Sequence, residues 1–194
     1  MAVLVACAPV RETFYKPIGL GQRHSVGVCG GPPTQLSFEV ENGLGITVSA
    51  WKYDAERVSS IWIEFFVGDG KNLKLVDTVP SITTVVDHQL RAFNVGEISY
   101  VDIVAEGSPT TRQQHRLLAT DEMKGAMLPS EQRWIFNSQF QNNRSFLAKI
   151  DVGGFFAKDF VLHLPDATLN GQPIQFPDIQ FEYREEYYWV AWMC

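Results

Sequence analysis

Leu36-Ser-Phe-Glu-Val40, Asn42-Gly43 and Leu44-Gly-Ile-Thr-Val-Ser-Ala50 decide the fold class. Apolar and polar residues alternate on both sides of an Asn-Gly pair. Period-two alternation is the mark of a half-buried strand, and Asn-Gly favours the positive φ angles of a tight hairpin turn. Outward from this hairpin the pattern recurs. In Ile61-Trp-Ile-Glu-Phe-Phe-Val67, residues 61, 63, 65 and 67 share one face, with Trp62, Glu64 and Phe66 on the other. Gly68-Asp-Gly70 then reads as a tight turn into Leu73-Lys-Leu-Val76, a second expected hairpin. Further strands are expected over Ile82–Val86, Ile98–Val104, Phe160–Leu164, Ile174–Phe176, Ile179–Tyr183 and Tyr187–Met193. Arg184-Glu-Glu186 reads as a bend before the last of these, and Asn170-Gly171 as another turn.

Short strands, frequent turn signals and no regular alternation with helices imply an all-β fold. We expect an antiparallel β-sandwich or open barrel. Residues 107–145 stand apart as a polar, loop-rich excursion, with room for a short helix starting near Pro129 or Ser130. Such a segment reads as functional, or as cover for a sheet edge. A single β-domain over 34–194 is expected, preceded by a Pro/Gly-rich tether or arm over 8–33.

Composition narrows the function. The formal net charge is −6, which offers little to a phosphate backbone and argues against a nucleic-acid partner. The four histidines make no HxH or HExxH spacing. His163 alternates with Leu162 and Leu164, as a solvent-face or hydrogen-bonded residue would. No GxSxG elbow or phosphate-binding GxxxxGK[ST] loop occurs. Glu185 and Glu186, being adjacent, point to opposite faces of a strand and cannot form a facing carboxylate pair. No catalytic motif, metal site or cofactor site is expected, and a non-enzymatic role follows.

The N-terminal Leu4-Val5-Ala6-Cys7 resembles a bacterial lipobox, the four residues ending in the cysteine that receives a diacylglyceryl group. The resemblance covers those four positions. A basic leader and most of an apolar one are missing, as though the chain starts inside a signal peptide, so 1–7 reads as its remnant. It implies lipidation at Cys7, export, and a place in the cell envelope facing the periplasm or exterior. With Cys7 acylated, Cys29 and Cys194 are left as one possible disulfide, which would close a long loop; two unpaired thiols are the alternative. The expected role is an envelope interaction or assembly module, with an envelope protein or glycan as partner. The alternative is a secreted carbohydrate- or ligand-binding sandwich using exposed aromatics. Trp51, Tyr53, Trp62, Trp134, Trp189 and Trp192 are the candidates, although core packing is the more ordinary role for most such residues.

Overall fold

The structure is a computed structural model and describes residues 7–24, 31–52, 57–86, 88–95, 97–104, 111–127, 140, 143–156 and 158–191. Every regular element among them is a β-strand. In chain order these are β1 (Cys7–Ile18), β2 (Gln22–His24), β3 (Gln35–Glu41), β4 (Leu44–Lys52), β5 (Arg57–Val67), β6 (Asn72–Leu75), β7 (Ser81–Thr84) and β8 (Leu90–Ala92). There follow β9 (Glu97–Val104), β10 (Thr111–Leu118), β11 (Met123–Lys124), β12 (Arg144–Phe156), β13 (Asp159–His163), β14 (Ala167–Leu169), β15 (Gln172–Ile174) and β16 (Ile179–Ala191).

All pairings are antiparallel. One sheet has the order β1-β16-β13-β7-β8 and a larger one β10-β9-β12-β5-β4-β3-β2. The third and smallest is β11-β6-β14-β15. None closes into a barrel, and the arrangement is that of a sandwich.

The alternating residues supply the core. Leu44, Ile46 and Val48 of β4 meet Ile61, Ile63 and Phe65 of β5 in one buried cluster. Tyr15, Phe160, Ile179 and Phe181 enter the same cluster from the five-stranded sheet, and Leu73, Leu75 and Leu169 from the small one. Phe160 stacks on Phe181 with ring centroids 5.0 Å apart, and Tyr15 packs against Phe160 at 5.6 Å.

The Asn42-Gly43 hairpin forms, with Gly43 at φ 86° and register Leu36↔Val48, Phe38↔Ile46. Asn170 and Gly171, both at positive φ (52° and 78°), turn β14 into β15. Three expectations need correction. The Gly68–Gly70 turn exists, but β6 does not pair with β5; it crosses to β14 and β11. Both edges of β5 are already taken, by β4 and β12, so no ladder position is left for β6. Arg184-Glu-Glu186 is no bend: β16 runs straight through it because β1 pairs with it along its length. Within 107–145, the polar stretch from Thr111 to Leu118 is the edge strand β10, paired with β9 throughout. An edge strand has one neighbour and a solvated side, so backbone pairing holds it without an apolar pattern. The expected turn of helix after Pro129 lies outside the described residues.

The 8–33 stretch contributes β1 and β2. Pro9 and Pro17 of β1 have the same parity, so both ring nitrogens lie on the same side of the strand. β1 is the sheet edge. That side can face away from β16, where a missing N–H costs no ladder bond.

Candidate functional site

Three places on the molecule gather chemistry. The first is a cleft between β1 and the end of β4. A β-bulge makes it: Trp51 pairs with Ser60 but Lys52 pairs with Val58, leaving Ser59 as the extra residue. A bulge re-aims the side chains beside it. Here Lys52 Nζ reaches across to donate to Thr13 Oγ1 of β1 at 2.8 Å, and Ser59 Oγ donates to the Trp51 carbonyl at 3.1 Å. The cleft has a volume of about 250 Å³ and is lined by residues including Glu12, Thr13, Pro32, Thr34, Trp51 and Lys52. Trp51 is 41% exposed and packs against Trp62, with centroids 5.6 Å apart and planes inclined at 42°. Trp62 is held by its indole N–H, which donates to Ser60 Oγ at 3.1 Å. One aromatic face open to water, one acid and one amine in a small cleft can stack a ring and orient its hydroxyls.

The second is the outer face of the large sheet. Ser37, Thr47 and Glu64 lie in one row across β3, β4 and β5. Ser37 and Thr47 share a buried 2.6 Å hydrogen bond. Burial raises the Glu64 carboxyl above the ordinary glutamate range, and the hydrogen bond from Ser145 pulls the other way. Phe140 covers this face beside them: it stacks on Phe66 at 5.4 Å and lies over Gly45, where a Cβ would stand 2.5 Å from its ring. Glycine is therefore required at position 45 for Phe140 to seat. Glu64 escapes sequence reading because an acid on the polar parity of a strand looks solvated. Its flanking by Trp62 and Phe66 is the one signal that this face too is covered.

The third is a chain of hydrogen bonds on the outer face of the five-stranded sheet. His163 Nδ1 lies 2.7 Å from Asp178 Oδ1, and His163 Nε2 lies 3.0 Å from Thr83 Oγ1. With Nδ1–H donating to the carboxylate, the Thr83 hydroxyl donates to Nε2. The order hydroxyl, imidazole, carboxylate is that of a nucleophile relay. Thr83 and His163 sit on neighbouring strands, and Asp178 directly precedes β16. The three groups tie β7, β13 and the start of β16 together.

Of the residues singled out from sequence, the structure packs Trp51 against Trp62, and Trp51 lines the cleft. Cys7 opens β1 and pairs with Ala191, while Trp189 pairs with Pro9. Cys29, Cys194, Tyr53, Trp134 and Trp192 lie outside the described residues. Among the described residues no group of three or more His, Cys, Asp or Glu side chains is placed to hold a metal ion, and no helix is long and apolar enough to cross a membrane.

The fold and sites define an antiparallel β-sandwich with an aromatic cleft at one sheet edge. The chain matches no protein-family model, no curated protein and no solved structure.

Proposed function

We propose that this protein is a lipid-anchored module of a bacterial cell envelope, non-enzymatic, held by an acylated Cys7 and presenting its β-domain to an envelope partner. The observation that carries the reading is the lipobox-like Leu4-Val5-Ala6-Cys7. Its position supports it. Cys7 pairs with Ala191 at the far end of the β1/β16 pair, eight residues beyond Tyr15, whose side chain is in the core. An anchor there leaves the sheet faces and the Trp51 cleft clear of the membrane.

Intact-mass measurement of protein recovered from its source cells tests this. The expected result is an N-terminal Cys7 carrying a diacylglyceryl mass, and a shift of two hydrogens on reduction if Cys29 and Cys194 are joined. An unmodified Cys7 following its six preceding residues would remove the anchor.

The Trp51–Trp62 pair favours a second reading, a carbohydrate-binding cleft. Trp51→Ala should weaken glycan binding about tenfold or more, since an aromatic platform is the main apolar contact to a sugar ring. Glycan-array binding and tryptophan fluorescence would show it. Binding unchanged by Trp51→Ala would dismiss the cleft.

A further inference from the structure

β16 is paired on both sides only at its start. β13 accompanies it over Ile179–Glu182; from Arg184 to Ala191 its only strand partner among the described residues is β1. The two strands therefore continue as a two-stranded ribbon. Its far end, Cys7-Ala8-Pro9-Val10 against Tyr188-Trp189-Val190-Ala191, carries no charged residue. Immediately behind it comes a collar of both signs. Arg11 pairs with Glu185, Lys16 lies 3.7 Å from Glu186, and Glu12 stands opposite Glu186. Tyr187 in register with Arg11 is 70% exposed, and Val10 is 37% exposed.

The dimensions select the environment. From Cys7 to Arg11 the ribbon spans roughly 13 Å at about 3.3 Å per residue. A strand needs about 9–11 residues to cross a bilayer, whereas interfacial elements bury about 5–10 Å into the headgroup and acyl boundary. A two-stranded ribbon also has two open edges, and unpaired backbone groups are not tolerated in hydrocarbon. Tyr and Trp are the residues that favour headgroup depth.

We propose that the uncharged end of the β1/β16 ribbon seats in the headgroup layer of a lipid bilayer, with the Tyr187 ring at the boundary and the charged groups of Arg11, Glu12, Glu185 and Glu186 remaining in water. The choice of a bilayer over another occupant rests on the lipid-anchor reading, which places the membrane at this same end. The collar and Lys16 together carry two cations and three acids, so anionic lipid adds no attraction.

The test uses the full chain with Cys7→Ser, which cannot be acylated, and phosphatidylcholine vesicles. It should co-sediment with them. Adding phosphatidylglycerol should not strengthen binding. Val10→Ser with Tyr187→Ser should weaken it about tenfold by removing apolar contact. Leu90→Ser, an equally exposed apolar site on β8 at the opposite sheet edge, should leave it unchanged. Both altered ribbon side chains are solvent-facing, so folding is not at stake, and circular dichroism checks it. Failure of the Cys7→Ser chain to bind, or equal binding by the double variant, overturns the proposal. So does a lipid-free dimer that the double variant dissociates, since the ribbon end would then belong to a second copy. The Cys7 mass decides the anchor separately: acylated Cys7 without vesicle binding keeps the anchor and removes the ribbon seat, and unmodified Cys7 with vesicle binding does the reverse.

Discussion

Glu64 shows how one residue's environment becomes a measurable property of the whole fold. Its carboxyl holds a proton more tightly in the folded protein than in the unfolded chain, because burial disfavours the charge more than Ser145 supports it. A group raised in this way contributes stability that is complete below the ordinary glutamate value and lost as pH rises through the raised one. Glu64→Gln removes that loss. Thermal melts should show the variant close to the parent near about pH 4 and more stable than it near about pH 7. A gap of the same size at both pH values would mean that Glu64 titrates normally. At the ribbon, Glu186 shows the opposite sign: the Tyr188 hydroxyl, donating at 2.6 Å, holds its carboxyl below the ordinary range. Burial and the same carboxylate raise the Tyr188 phenol.

At the scale of elements, β1 is the instructive one. Its alternation is hidden in sequence by Pro9, Pro17 and a mix of charges, yet Tyr15 is fully buried between Phe160 and Tyr183. That side chain is the rivet between the ribbon and the sandwich. Tyr15→Ala should cost about 3–5 kcal/mol, the range for deleting a large buried aromatic. It should speed amide exchange in β1 and the second half of β16 before the β3–β4–β5 sheet. Denaturant titration with hydrogen exchange would show this, and uniform exchange across both sheets would mean that β1 is not a separable layer. The Thr83–His163–Asp178 chain of hydrogen bonds binds β7 and β13 to the segment that leads into β16, so the same sheet is held at both ends by side chains as well as by its ladder.

For the whole molecule, three sheets share one continuous buried cluster. Removal of Leu73 from the smallest sheet should therefore be felt everywhere. Leu73→Ala should lower stability by about 2–5 kcal/mol in a single transition, the cost of a buried leucine left as a cavity. Tryptophan fluorescence from the large sheet and far-ultraviolet circular dichroism should report the same midpoint. Two separated midpoints would show that the small sheet unfolds alone.

The residues by themselves determined the all-β class, the Asn42-Gly43 and Asn170-Gly171 turns, and which parity of β4, β5 and β13 faces the core. Each of these is local: a positive φ at a turn, or alternation along a pleat, is written in neighbouring residues. Tertiary structure alone decided that β6 leaves β5, that β10 is a strand, that Arg184-Glu-Glu186 stays extended, and that Trp51 meets Trp62 beside β1. These depend on which strand lies alongside. A backbone ladder is indifferent to side-chain pattern at a sheet edge, and a partner distant in sequence, such as β1 for β16, leaves no local trace in the strand it completes.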